Sequence, residues 1–438
     1  MPIFSLVFVD VLGLTVILPL LHLYAAVYGA SALEVGLVAA AFPLAQLIGV
    51  PMMGALSDRF GRKPLLLISQ VTTFLSFIML GLANSLLLVI LSRVIDGLFG
   101  ANLATAQAAI SDITTDENRA QGLGLTGAAF GLGFILGPAI AIGTLEVSGS
   151  LATPAFVAAG YSLISIVLTL FAFKETLPPE RRGRAIQGVR APGPLIVLRY
   201  LRLPLVGVLL LIMFFQQVIF FGFESLLGLF NLTRLGLLGQ GNALIFIYIG
   251  LILLITQVRL IGRWTRKYGE RRVASLALAL LAIGLVLVAL TPAQPHPLYV
   301  ERRAINELSA QLPGSTEAIV GSLAVDLPED ADRGLGGVLW LLVAVVPIGI
   351  GSGLIRPSLN SLLTKSVSAD EYGGILGASA AMVSLANASA PILGGLVFQR
   401  FGAAAPFLLG GLLMGGVLLV SLSALRPLAH RQEVPAES

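Results

Sequence analysis

Apolar residues fall in blocks of about twenty along the whole chain, divided by short polar stretches. A block of that length matches a hydrocarbon core of roughly 30 Å crossed by a helix at 1.5 Å per residue. Twelve blocks occur, near 2–23, 35–56, 64–83, 85–110, 120–145, 152–173, 204–230, 240–258, 273–291, 336–363, 373–398 and 403–425. Gly, Pro and Ala recur inside them, which suits close-packed membrane helices and argues against the two-residue alternation of barrel strands. The expected fold is an all-α membrane protein of twelve transmembrane helices.

The interruptions between blocks reveal a duplication. Around 174–203 the apolar pattern gives way to Lys174-Glu175-Thr176, Pro178-Pro179, Arg181-Arg182 and Arg190-Ala-Pro-Gly-Pro, a basic, Pro-rich linker between six blocks and six. Gly54-Ala-Leu-Ser-Asp-Arg-Phe-Gly61 after the second block is repeated in outline by Gly262-Arg-Trp-Thr-Arg-Lys-Tyr-Gly269 after the eighth, at an offset of 208. Gly124 and Pro138 of the fifth block return as Gly377 and Pro391 of the eleventh, at an offset of 253. The polar stretch 292–335 accounts for the difference between the two offsets and reads as an insertion. The expected organisation is a six-helix bundle (1–173), the linker (174–203), a second pseudo-symmetric bundle carrying the insertion (204–425) and a short tail (426–438). By the charge rule it faces outside, where a floppy or amphipathic surface loop is the simplest reading and a functional cap the alternative; no role is assigned to it.

Composition and charge orient this plan. Apolar residues make up 56% of the chain and charged ones 11%, with a mean hydropathy of +0.94, far from a soluble domain. Of the 27 Lys and Arg, twenty fall in the loops and tail of one side, five on the other, and Arg93 and Arg356 within blocks. Positive charge marks the cytoplasmic side, so both termini are expected there. No basic region precedes the first block and no small-residue cleavage site closes it, so that span is expected to remain. The pI near 9.5 then reflects topology and anionic lipid, not nucleic-acid binding. Cysteine is absent, and His22, His296 and His430 are too scattered to suggest a metal site. No Walker-type loop is present. An enzyme is not expected, nor any cofactor; the energy source implied is a gradient.

Five ionisable residues lie well inside the blocks: Asp10, Arg93, Asp96, Glu224 and Arg356. A lone Asp or Arg at mid-helix costs roughly 2.5 to 3.5 kcal/mol on insertion scales, so these groups should face a cavity or one another. Asp96 follows Arg93 by three residues and shares its helix face, with Asp10 at a compatible depth. These three form the candidate proton site, because burial and a movable Arg can push a carboxyl's affinity in opposite directions. A static ion pair joining the first and fourth spans is the alternative. Glu224, near Phe220, Phe221 and Phe223, can receive a cationic amphipathic ligand by charge and ring faces, although such aromatics also serve as lipid-facing or core residues. Arg356 can bind an anionic group or pair with Glu224. Gln217, Asn102 and Asn387 are candidate cavity-lining residues, with interhelical hydrogen bonding as their other use.

Gly54-Ala-Leu-Ser-Asp58-Arg59-Phe-Gly61-Arg62-Lys63-Pro64 closely resembles the signature between the second and third spans of the major facilitator superfamily. Asp10-Val-Leu-Gly13 with Pro19, Leu91-Ser-Arg93-Val-Ile-Asp-Gly97, Ala109-Ile-Ser-Asp112 and Gly127-Ala-Ala-Phe-Gly131-Leu-Gly133-Phe-Ile-Leu-Gly137-Pro138 are similar to motifs of its proton-coupled drug antiporters, especially the tetracycline-efflux-like group. The resemblance implies two halves rocking about a central site. It implies a latch of Gly54, Asp58, Arg59, Gly61, Arg62 and Asp112 that locks the outward-facing state. It also implies an antiporter seam at Gly127, Gly131, Gly137 and Pro138. The ninth span has no acidic residue where that group carries one, so substrate identity does not follow. The expected function is export of small amphipathic, drug-like molecules by proton antiport, by a monomer in a bacterial inner membrane. A nutrient or organic-acid symporter or facilitator, or a solute sensor without net flux, is the alternative.

Overall fold

The computed structural model describes residues 2–100, 102–113, 116–178, 180, 182, 199–312, 327–329, 332–367 and 372–424. Among them the regular structure is helical. The first half contains α1 (Pro2–Ile17), continued through a tighter turn into α2 (Leu21–Ala26), then α3 (Ala32–Phe60), α4 (Arg62–Gly81), α5 (Leu86–Phe99), α6 (Asn102–Ile113), α7 (Asp116–Ser148) and α8 (Ala152–Phe171). The second contains α9 (Pro204–Leu235), α10 (Gly239–Ile255), α11 (Ile261–Ala289), α12 (Glu301–Ser309), α13 (Gly336–Thr364), α14 (Tyr372–Phe401) and α15 (Ala405–Ala424).

Among the described residues ten helical stretches are long and apolar enough to cross a membrane, one of them running from Gly239 to Ala289. That stretch is two crossings. Gly349 and Gly353 of α13 pack on Ile252 and Thr256, so α10 runs parallel to α13, whereas Gly351 meets Ala277 and Gly284 meets Ile348, so α11 runs antiparallel to it. The reversal falls at Gly269, whose φ of 76° and ψ of 155° only glycine adopts readily. Gly61, its partner in the repeat, makes the corresponding turn at φ 107° and ψ 163°. The expected fourth span is broken: α5 ends at Gly100, whose N–H donates to the Asp96 carbonyl at 2.6 Å, and α6 resumes the path. Counting 239–289 as two gives eleven apolar paths of crossing length, and the broken pair lies where the remaining expected span falls.

Local chemistry sets several helix ends. Ser31 caps α3 while Glu34 accepts from the Ser31 amide at 2.7 Å, a reciprocal capping box. Pro43, Pro51, Pro138, Pro347, Pro357 and Pro391 lie inside helices, where neighbouring helices can compensate the lost backbone donor.

The halves converge on the face that carries the insertion. There α3 and α14 touch backbone to backbone, at Gly36 against Pro391 and at Gly395 against Ala32. The halves also pack together along α7 and α10. A methyl group placed at Gly239 would lie 2.8 Å from Leu145, at Gly250 3.0 Å from the Phe134 carbonyl, and at Gly131 3.7 Å from Leu254. Gly54, near the opposite, basic face, has open space around it.

The insertion differs from a simple loop. Its described part contains α12, with Ala304 and Leu308 buried, and Leu312 joins the main apolar core. Residues 313–326, like 183–198 of the linker and the tail from 425 onward, lie outside the described residues.

Candidate functional site

Asp10 on α1 is half-buried, with the Ser165 hydroxyl of α8 close to its carboxylate and Asp96 within electrostatic reach. Asp96 and Arg93 are each 3% exposed. Arg93 Nη1 lies 3.5 Å from Asp96 Oδ2, and Thr73 of α4 donates to Asp96 Oδ1 at 2.8 Å. The guanidinium also stacks 5.3 Å from the Phe77 ring, leaving Nη2 buried without a protein partner. Ser165 in turn accepts from Gln70 at 2.9 Å. The three residues singled out from sequence are thus brought together, wedged among α1, α4, α5 and α8 of the first half. Ser165, Thr73 and Gln70 complete the network. Nothing in the sequence marks these neutral residues, because hydroxyls and amides are common in packed membrane helices.

The candidate solute-binding residues separate. Glu224 is half-buried beside a small cavity of about 40 Å³ at the seam between the halves, with Phe221 and Phe246 along the same wall. Phe223 turns instead into an aromatic cluster, 6.0 Å from Phe407, and Phe220 leans on Phe223 at 6.1 Å. Gln217 donates to Asn387 at 2.7 Å, so this pair ties α9 to α14. Asn102 is half-buried with an unpartnered Oδ1. Arg356 is exposed on α13, and no ion pair joins it to Glu224 among the described residues. The pairing considered from sequence is therefore not made. His22, dismissed as a metal ligand, lines the same cavity as Glu224.

On the basic face Arg62 is the hub of the expected latch. Its Nη1 bonds Asp58 at 2.6 Å and Ser57 at 3.2 Å, and its Nε bonds Asp112 at 2.9 Å. Arg59 is not part of this hub; its guanidinium lies over the Phe60 ring at 5.2 Å. Glu175, at the start of the linker, was missed. Its carboxylate accepts from the backbone N–H groups of Arg62 and Lys63 at 2.9 and 3.1 Å, sitting on the N-terminus of α4 where the helix dipole favours an anion. Partial burial works against its charge, but the N–H groups of Leu177, Arg62 and Lys63 and the nearby Arg182 outweigh it and hold the carboxyl below its usual range.

The second half repeats this clamp with the charges exchanged. Glu270 stands at the equivalent of Arg62 and Lys365 at the equivalent of Asp112, by the same two offsets read from sequence. The two form an ion pair, with Ser361 donating to Glu270 at 3.1 Å. Either polarity fastens the reversal loop to the following helix pair.

The antiporter-type glycines of α7 make their tightest contacts within the first half. Gly133 packs on Val11 and Gly137 on Thr15, both of α1, with Pro138 buried beside them. Gly131 faces Leu254 of α10, while the surroundings of Gly127 lie outside the described residues.

Comparison with known proteins agrees with this architecture. The family model described as Major Facilitator Superfamily matches residues 3–301 and 318–438, the gap falling inside the insertion. Multidrug resistance protein 2 of Bacillus subtilis (strain 168) is 26% identical over 411 residues, 94% of this chain and 91% of that protein. The class C tetracycline resistance protein of Escherichia coli is 27% identical over 359 residues, 82% and 78% of the two chains. Among solved structures, the human organic anion transporter MFSD10 (TETRAN) superposes with a TM-score of 0.65 at 22% identity, covering 96% of this chain and 98% of that one. The nucleoside transporter NupG gives 0.71 at 13% identity, covering 97% and 98%. With a duplicated helical plan and a family match spanning both halves, the chain belongs to the Major Facilitator Superfamily of membrane transporters.

Proposed function

We propose that this transporter exports small amphipathic organic molecules in exchange for protons, as a monomer without a cofactor. On the charge asymmetry of its loops the basic face is cytoplasmic, with both termini there, in a bacterial inner membrane. In this reading solute enters between the halves from the cytoplasm. The observation that carries the reading is the network of Asp10, Asp96 and Arg93. A half-accessible carboxylate is coupled through Ser165 to a buried amide, and by charge to a buried ion pair with a spare guanidinium donor. Rocking of the halves changes what Asp10 meets and hence its hold on a proton. The names of the B. subtilis and E. coli relatives support drug-like solutes.

In this scheme Arg62, Asp58 and Asp112 keep the reversal loop rigid so that it can dock on the second half when the cytoplasmic side closes. Gly54, unencumbered here, supplies a smooth surface for that docking. Reconstituted protein tests the coupling: solute should alkalinise the lumen of acid-loaded vesicles, and Asp10→Asn should abolish this while leaving solute binding intact. Undiminished antiport by Asp10→Asn would remove Asp10 from the mechanism.

A second reading, transport of an organic anion, is favoured by one observation: Arg356 is exposed and not paired with Glu224. Inhibition of transport by organic anions that disappears in Arg356→Gln would support it over the first.

A further inference from the structure

Glu224 and His22 line one cavity at the seam between the halves, an arrangement that selects a ligand chemistry; this rests on the reading that solute enters between the halves. The ring edge of His22, on α2, lies against Gly228 of α9, one helical turn from Glu224 and so about 6 Å along the axis. His22 is 4% exposed, and its Nε2 has no protein partner. The other polar groups of the cavity are satisfied: Asn242 donates to the Pro19 carbonyl at 2.6 Å and accepts from Asn231 at 2.8 Å, and Ser225 donates to the Phe221 carbonyl at 2.7 Å. What remains is a carboxylate, an imidazole lone pair when the ring proton is on Nδ1, and the rings of Phe221 and Phe246. The cavity of about 40 Å³ has room for about three water-sized groups.

We propose that this pocket seats a primary or secondary ammonium head, bridged between the Glu224 carboxylate and His22 Nε2, so that amphipathic amines are preferred over quaternary cations and neutral analogues. A quaternary head has no N–H to donate and exceeds the space; an alcohol lacks the charge. Binding of naphthylethylamine, its N-trimethylated counterpart and the matching alcohol to the full-length protein, measured without a proton gradient, tests this. The amine should bind tighter than both by about tenfold or more, as one charge-assisted hydrogen bond implies. Glu224→Gln and His22→Leu should each erase that preference, and Glu224→Asp should restore part of it, which controls for misfolding. Equal binding of the three probes, or an undiminished preference in Glu224→Gln, overturns the proposal. Binding with the expected preference but without flux would refute the export reading and leave the site standing; flux without the preference would do the reverse.

A separate observation concerns the insertion. Its root is fixed to the second half: His296 N–H donates to the Leu235 carbonyl at 3.0 Å, Gly337 N–H to Gln294 Oε1 at 3.2 Å, and the Tyr299 ring covers Gly236. Its far end is fixed to the first half: the Gln311 carbonyl accepts from the Leu151 N–H at 3.2 Å and the Ser150 hydroxyl at 2.9 Å. Leu308 between these anchors and Leu312 just past the second enter the core. Residues 292–312 therefore span the closed face from one half to the other, and we infer that they act as a strap that must detach from 150–151 before that face can open.

The chain has no cysteine, so a Ser150→Cys, Gln311→Cys pair can be oxidised selectively. Crosslinking should lower transport at least tenfold, reversibly on reduction. In a separate Ala39→Cys reporter, Leu308→Ser should speed labelling by an impermeant maleimide from the insertion face. Unchanged transport by the crosslinked protein, failure of the pair to crosslink, or unchanged labelling would each refute the strap.

Discussion

The two reversal glycines offer a matched experiment, since Gly61 and Gly269 hold the same place in the repeat and nearly the same backbone conformation. Alanine at either position must adopt a region of φ and ψ that is essentially glycine's own, at a cost of about 1–3 kcal/mol. At Gly269 nothing else stands within 4 Å of the added carbon, so the strain is the whole effect. At Gly61 the carbon would strike the Glu175 carboxylate, which caps α4 through the Arg62 and Lys63 amides. Displacing it forfeits up to two charge-assisted bonds of about 1.5–3 kcal/mol each, reduced because Glu175 is partly solvated. Gly61→Ala should therefore exceed Gly269→Ala by about 2 kcal/mol. Thermal unfolding of purified variants at one scan rate reads the ordering. In a Glu175→Ala background the two glycine substitutions should become equivalent. Equal destabilisation in the parent protein, or a difference that survives without Glu175, would refute the reasoning.

Two further outcomes follow from the same face. Because its folded-state pKa is depressed, Glu175 contributes stability that is fully present above the unfolded carboxyl value, near 4.5, and lost as pH falls through the lower folded value. The stability gap between the parent and Glu175→Gln should hold at pH 7 and close as pH falls below that value; a gap independent of pH would show that its charge is not responsible. A double-mutant cycle with Arg62→Ala and Asp112→Asn should give a coupling of about 2 kcal/mol, whereas the Arg62–Asp58 cycle should stay below about 1 kcal/mol, because Asp58 is 57% exposed. Equal couplings would contradict the burial difference.

The axial plan of the molecule was written in its sequence. Lipid admits only helices that satisfy their own backbone, so block length and loop charge gave crossings and a proposed orientation, while the offsets of 208 and 253 gave the duplication. Gly61 and Gly269 were readable as turns because few other residues can make them. What the sequence left open was the direction in which each helix faces. These spans are apolar nearly all round, and lipid does not prefer one flank over another, so the neighbours of a side chain are chosen by packing.

For that reason Asp10 could be placed at a depth but not beside Ser165, and the Phe220–Phe223 group could not be divided between cavity and core. His22 sat in an apolar run as a lone histidine until α9 brought Gly228 against it and Glu224 into the same cavity. Glu175 lay in a segment whose composition spoke only of a linker, and Glu270 and Lys365 carried no sign of their pairing until the repeat was folded. The contact that ties the insertion to the first half joins residues 161 apart in the chain. Sequence fixes what each segment must do in a lipid solvent, because that is a local transfer free energy; which segments touch is a collective property of the packed bundle, and only the tertiary structure decides it.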